Sequence, residues 1–179
     1  ASFSRDVATT IEVTSKIKQN TDDSTQSIKE FEVGFEESMN SAIFIHKKLD
    51  HARDTCFTSL VKVDHSVYMQ NAYMTITQGH DSPSGQAVKV DSHNCRLGKW
   101  YESGRGKEAF SHTKSYKLLS QPHSRVHDSI HHAVEILSQN WEHDFELQKN
   151  LLINFEKAEA ASVDVVAIIE QLLQDKKNS

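Results

Sequence analysis

The chain has 179 residues, enough for one domain with a real core plus an extra helical arm, and a tight fit for two independent domains. Hydrophobic residues make up 37% and charged residues 25%, and only 6 Gly and 2 Pro interrupt the chain, which favours helices over a turn-rich β fold. The formal charge is −5 and the basic residues are scattered, so the phosphate-neutralising stripe that nucleic acid requires is missing. No uninterrupted apolar run approaches the ~18 residues of a membrane span, and no basic stretch followed by an apolar one marks a secretory signal. A cytoplasmic segment without a membrane part is expected.

From Phe3 to Ala42, positions alternately four and three apart hold Phe3, Val7, Thr10, Thr14, Ile17, Thr21, Ser24, Ile28, Phe31, Phe35, Ser38 and Ala42. That is a heptad seam. Many of its occupants are too small or polar to bury much area, so residues 1–42 are expected to form a coiled-coil-like signalling arm that needs a partner helix, with a plain packing helix as the alternative. The next element, about Ser41 to Thr77, places Phe57, Val61, His65, Tyr68 and Ala72 on one helical face, so His65 lies within an apolar stripe. Cys56 lies nine residues before His65 and is expected to be a small core filler.

The stretch GHDSPSGQAVKVDSHN, residues 79–94, holds Gly79, Pro83 and Gly85 and is expected to be an exposed connection. Cys95 then opens CRLGKWYESGRG, a short turn of helix stopped by Gly104 and Gly106. A short helix is expected from Lys107 to Leu119, with a new one starting at Ser120-Gln121-Pro122. The apolar stripe beyond it runs Val126, Ile130, Val134, Leu137, Trp141, Phe145, Leu152, Phe155, Val163, Val166, Ile169 and Leu173, as one helix or as two joined near Asn140. Lys176 and Lys177 complement the dipole at its end.

Histidine is the unusual residue, 11 of 179. His123 and His127 are four apart and project from one helical face, where two imidazoles can grip one ion. Together with Cys95 and His65 they offer one thiolate and three imidazoles, a complete tetrahedral shell for zinc. Hydrolytic zinc sites keep a position for water, whereas a shell of four protein ligands is closed, so a structural or sensory role is expected and not an enzyme. The ligands must be deprotonated to bind, and the single sulfur makes such a site sensitive to oxidation. Taken singly, His65 also fits a hydrogen-bonded core position, and His123 and His127 a solvated helix face. His93 is a competing ligand or a partner to one, Asp64 and Asp91 are candidates for orienting the ligands, and His46, His51, His80, His112, His131, His132 and His143 are taken as surface residues. A zinc hydrolase lacks an HExxH-type spacing, and a di-iron bundle would need bridging Glu or Asp at ligand spacing within the helices.

The strings FTSLVKVDHSVYMQNAY (57–73), CRLGKWYESGRGKEAFS (95–111) and QPHSRVH (121–127) resemble, in order and spacing, the chemoreceptor zinc-binding domain of bacterial chemoreceptors and some diguanylate cyclases. A His in the first long helix, a Cys-x-Leu-Gly-x-Trp motif and a Pro-His-x-x-x-His segment fall on His65, Cys95, Leu97, Gly98, Trp100, Pro122, His123 and His127. The resemblance implies an all-α four-helix bundle over residues 43–175, zinc held by His65, Cys95, His123 and His127, a homodimer, and an attached or associated signalling domain. It also implies a cytoplasmic protein that responds to zinc or to oxidants such as hypochlorous acid through the ligating cysteine. A purely structural zinc in a helical dimerisation module is the alternative.

Overall fold

The computed structural model describes residues 2–177. Every regular element among them is helical, as the composition implies: α1 (Ser2–Gln78), α2 (Pro83–Ala87), α3 (Arg96–Glu102), α4 (Arg105–Phe110), α5 (Lys114–Leu137), a 3₁₀ turn at Trp141–His143, and α6 (Phe145–Lys177). The chain divides into two compact units, Ala1–Ala52 and Arg53–Ser179.

In the first unit, α1 is exposed along nearly its whole length. Seam residues Phe3, Ile17, Ile28, Phe31 and Phe35 all stand in solvent, and Phe31 stacks on Phe35 at 6.3 Å. The polar seam residues are accommodated by the helix itself: Thr10, Thr14, Thr21 and Ser24 each donate a hydroxyl to the carbonyl four residues back, at 2.7–2.8 Å.

In the second unit, the C-terminal part of α1 buries Asp54, Thr58, Val61, His65, Tyr68, Met69, Ala72 and Thr75. This is the expected stripe, extended at both ends. Gly79 ends the helix at φ +90°, a conformation that costs a glycine little, and its N–H returns to the Thr75 carbonyl at 2.9 Å. Cys56 is exposed and not a core filler, because the inward face at that turn is taken by Asp54 and Thr58.

Residues 79–94 are not an exposed connection throughout. Ser82 caps α2 by accepting from the Gly85 N–H at 3.1 Å, Pro83 fits the first turn, and Ser84, Gly85, Val88 and Ser92 are buried. The Tyr68 hydroxyl donates to the Val88 carbonyl at 3.1 Å and draws this stretch onto the bundle.

The break expected near Ser120 falls earlier. Thr113 caps α5 by accepting from the Tyr116 N–H at 3.3 Å, and the helix continues through Pro122 to Leu137. An interior proline costs ~3 kcal/mol. The helix persists because Leu119, Val126, Ile130, Ala133 and Leu137 bury against α6. Gly106, expected to stop a helix, lies inside α4, where the Trp100 ring leaves no room for a Cβ.

A break near Asn140 does occur. Beyond it, the Asp144 carboxylate caps α6 through the N–H groups of Glu146 and Leu147, at 2.9 and 3.1 Å. The buried register of α6 differs from the expected stripe: Leu151, Phe155, Ala158, Ala161, Val165, Ile169 and Leu172 face the core, while Leu152 and Val163 are 60% and 69% exposed. Ala158 and Ala161 are fully buried.

At the end of this unit nearest the chain's C-terminus, buried Asp54 of α1 accepts from Arg105 Nε of α4 at 2.8 Å and pairs with Lys176 of α6. Lys176 also lies 4.8 Å over the Phe110 ring. Burial alone would raise the Asp54 pKa, but the two cations outweigh it and hold the carboxyl below its usual range.

Candidate metal centre

Three elements bring the sequence-singled residues together: α1 carries His65, the start of α3 carries Cys95, and two successive turns of α5 carry His123 and His127. The Cys95 turn is built locally. Asp91 accepts from the backbone N–H groups of His93 and Asn94 at 3.0 and 2.8 Å, which folds residues 91–94 back on themselves. Cys95 then caps α3, its Sγ accepting from the Gly98 N–H at 3.3 Å. A Cβ at Gly98 would strike the Ser92 carbonyl, so glycine is what allows α3 to sit on this loop.

Cys95, His123 and His127 form a tight group whose candidate ligand atoms all lie within 4.8 Å of one another. The Cys95 Sγ to His123 Nε2 distance is 3.2 Å. Adjacent sulfur and nitrogen ligands of a tetrahedral zinc stand about 3.6 Å apart, given Zn–S and Zn–N bonds of about 2.3 and 2.0–2.1 Å. The donor types and their spacing therefore fit zinc after small adjustments.

His65 stands beside this group without belonging to it at that spacing. Its ring meets His123 edge to face at 5.8 Å between centroids, it is 6% exposed, and its Nδ1 is buried with no hydrogen-bond partner. An orphaned imidazole nitrogen beside a Cys/His cluster is what a missing ligand would explain. His93 lies outside the group: it is exposed and paired with the Glu102 carboxylate.

His127 Nδ1 lies 2.8 Å from the Val90 carbonyl, which can only accept. Nδ1 therefore carries the proton, and Nε2 keeps its lone pair for a metal. His131, expected on the surface, is half-buried. Its Nε2 donates to the Val88 and Val90 carbonyls at 3.1 and 3.3 Å, so it helps fix the strand of backbone that orients His127. The spacing gave a signal for it, since 123, 127 and 131 follow one another at steps of four.

Burial dominates the electrostatics. It pushes the His65 pKa down to about 4 and the His123 pKa down to about 3, with the neighbouring imidazoles adding to the effect. His127 is lowered too, chiefly by burial, although the Val90 carbonyl works the other way. All three rings are thus neutral and ready to ligate near pH 7. Burial raises the Cys95 thiol, opposed by the N–H groups of Gly98 and Leu97, so metal binding has to displace the thiol proton.

A half-buried thiol and two buried imidazoles brought together within an all-α bundle make a candidate metal site with donors that suit zinc. Residues 65–134 match the family model of the chemoreceptor zinc-binding domain, a stretch that begins at His65 and contains Cys95, His123 and His127. Over this stretch the chain is similar to that zinc-binding family of chemoreceptors, and its Cys95, His123 and His127 group has donors that could hold the metal. Comparison with curated proteins and with solved structures gives no match. Among the described residues no helix is long and apolar enough to cross a membrane.

Proposed function

We propose that this chain is a cytoplasmic, non-enzymatic sensor module in which Cys95, His65, His123 and His127 together hold one zinc ion and Cys95 is the responsive ligand. The observation that carries the reading is the buried, unpartnered Nδ1 of His65 beside the tight Cys95, His123 and His127 group. Zinc held by these residues would supply a positive charge that the thiolate partly neutralises. The chain's own residues supply neutral imidazoles held by burial, a proton fixed on His127 Nδ1 by the Val90 carbonyl, and a sulfur placed at the start of a short helix. An oxidant of the peroxide or hypohalite kind transfers one oxygen to the Cys95 sulfur and leaves as hydroxide or halide, and the sulfenic acid formed is a poorer ligand. Loss of that ligand changes how α3 packs against α1 and α5.

In this reading residues 43–175 form the sensing bundle and residues 1–42 the arm that passes the change to an attached or associated signalling domain. The exposed apolar seam of α1 supports pairing with a second copy as a homodimer. Elemental analysis should find one zinc per chain. At fixed free zinc, Cys95→Ser and His65→Ala should each lower the bound metal well below that. Full occupancy in Cys95→Ser would overturn the reading, and parental affinity in His65→Ala would reduce the shell to three protein ligands.

A further inference from the structure

A cleft of about 250 Å³ opens beside the metal cluster, lined among others by His65, Cys95, His127, Asp64 and Arg96. That volume suits molecules of a few heavy atoms and falls below the usual size of drug-like ligand pockets, about 300–1,000 Å³. Its lining is unevenly exposed. His65 and His127 are buried and Cys95 is half-buried, whereas Arg96 is exposed and Asp64 half-exposed, so the charged pair lies at the solvent side. Arg96 Nη1 and Asp64 Oδ2 stand 3.2 Å apart, yet Asp64 Oδ2 makes no hydrogen bond. They are held by charge without alignment: the side chains are 49% and 39% exposed although Asp64 Oδ2 itself is buried, and a partly exposed ion pair of this kind contributes only about 0–1 kcal/mol.

We propose that this cleft is the route by which small thiol-reactive molecules reach Cys95, and that the Arg96–Asp64 pair at its mouth sets which charge enters. Paired, the two residues cancel and the mouth is indifferent to charge. With either one removed, the other leaves a net charge within a few ångströms of the path. The inference rests on the sensor reading only in taking Cys95 as the responsive group.

The test uses zinc-free full chain in a Cys56→Ser background, because Cys56 is exposed and would react as well. Cys95 is alkylated at one pH with neutral iodoacetamide and with anionic iodoacetate. In both reactions the sulfur forms a bond to carbon, iodide leaves with the bonding electrons, and the thiol proton passes to solvent. The ratio of the two rates cancels any change in thiol acidity. Arg96→Gln should lower the iodoacetate-to-iodoacetamide ratio about threefold and Asp64→Asn should raise it about threefold, as expected for one unscreened charge several ångströms from the path. Opposite movements of the ratio support the gate, and any other pattern overturns it. Circular dichroism of both variants separates a charge effect from unfolding. Zinc per chain in the parent, measured separately, judges the sensor reading whichever way the ratios fall.

Discussion

Two buried polar clusters of the second unit differ in completeness. Around Asp54, every demand is met: the carboxylate has Arg105 on one oxygen and Lys176 on the other, and Lys176 also covers the Phe110 ring. Around Cys95, demand exceeds supply. His65 Nδ1 has no partner, while Cys95 Sγ is met by the Gly98 N–H and by His123 Nε2. Buried polar groups in native proteins are nearly all paired, so a cluster short of partners signals a ligand, whereas a satisfied one signals a fastener. The first cluster stabilises the fold by itself; the second is stable only as a neutral set, or around a cation.

The contrast is sharpened most by adding metal. At free zinc a thousandfold above its dissociation constant, the folded state should gain about 4 kcal/mol, seen as a shifted urea midpoint. The same zinc should leave a Cys95→Ala, His123→Ala double variant almost unmoved, and an equal shift there would break the contrast.

Acidification of the zinc-free protein comes next. His65 and His123 ordinarily titrate near 6.5, and burial lowers them to about 4 and about 3. The unfolded chain therefore binds more protons than the fold between those values, and stability falls as pH drops below 6.5. The loss from pH 7 to pH 5 should be on the order of 3 kcal/mol by urea titration. Asp54, lowered from 3.8, keeps its contribution throughout that window and loses it only below it. A flat profile between pH 7 and 5 would show that the imidazoles are not held neutral.

Breaking the satisfied cluster should cost somewhat less. Asp54→Ala leaves Arg105 and Lys176 without their shared anion, and because both are partly solvated the loss should be about 2 kcal/mol, with zinc affinity unchanged. Zinc affinity that falls along with stability would mean the two clusters are coupled. Gly98→Ala should show the smallest stability effect, about 1–2 kcal/mol, while weakening zinc binding, since the Ser92 carbonyl and the Cys95 turn have to shift together. Zinc affinity equal to the parent's would place the turn outside the site's geometry.

Much of the cluster was legible in the chain because metal-binding types are rare and their spacing is strict. His123 and His127 at four residues, and a Cys at the head of a Cys-x-Leu-Gly-x-Trp string, carry their geometry with them. Less was legible where neighbours are chemically alike. Leu151 and Leu152 are both apolar, so periodicity alone does not choose between them, and the small Ala158 and Ala161 that set the buried register of α6 weigh little in a hydrophobic pattern. Cys56 misled because its residue type favours the core, while its place on the helix was decided by the ionic demand of Asp54 two residues earlier. The connection over residues 79–94 looked exposed because Gly, Pro and Ser mark turns. What buries it is long-range, the hydrogen bonds of Tyr68, His127 and His131 to the carbonyls of Val88 and Val90.

Pro122 immediately precedes His123 and has no N–H to return to the Leu118 carbonyl, so α5 has one rung fewer in the turn that leads into its two imidazoles. Bending there breaks no hydrogen bond, which makes this the most compliant point along the helix. His123 therefore sits one residue past the weakest rung of α5, while the helix beyond it, from Val126 to Leu137, is anchored by its buried face against α6.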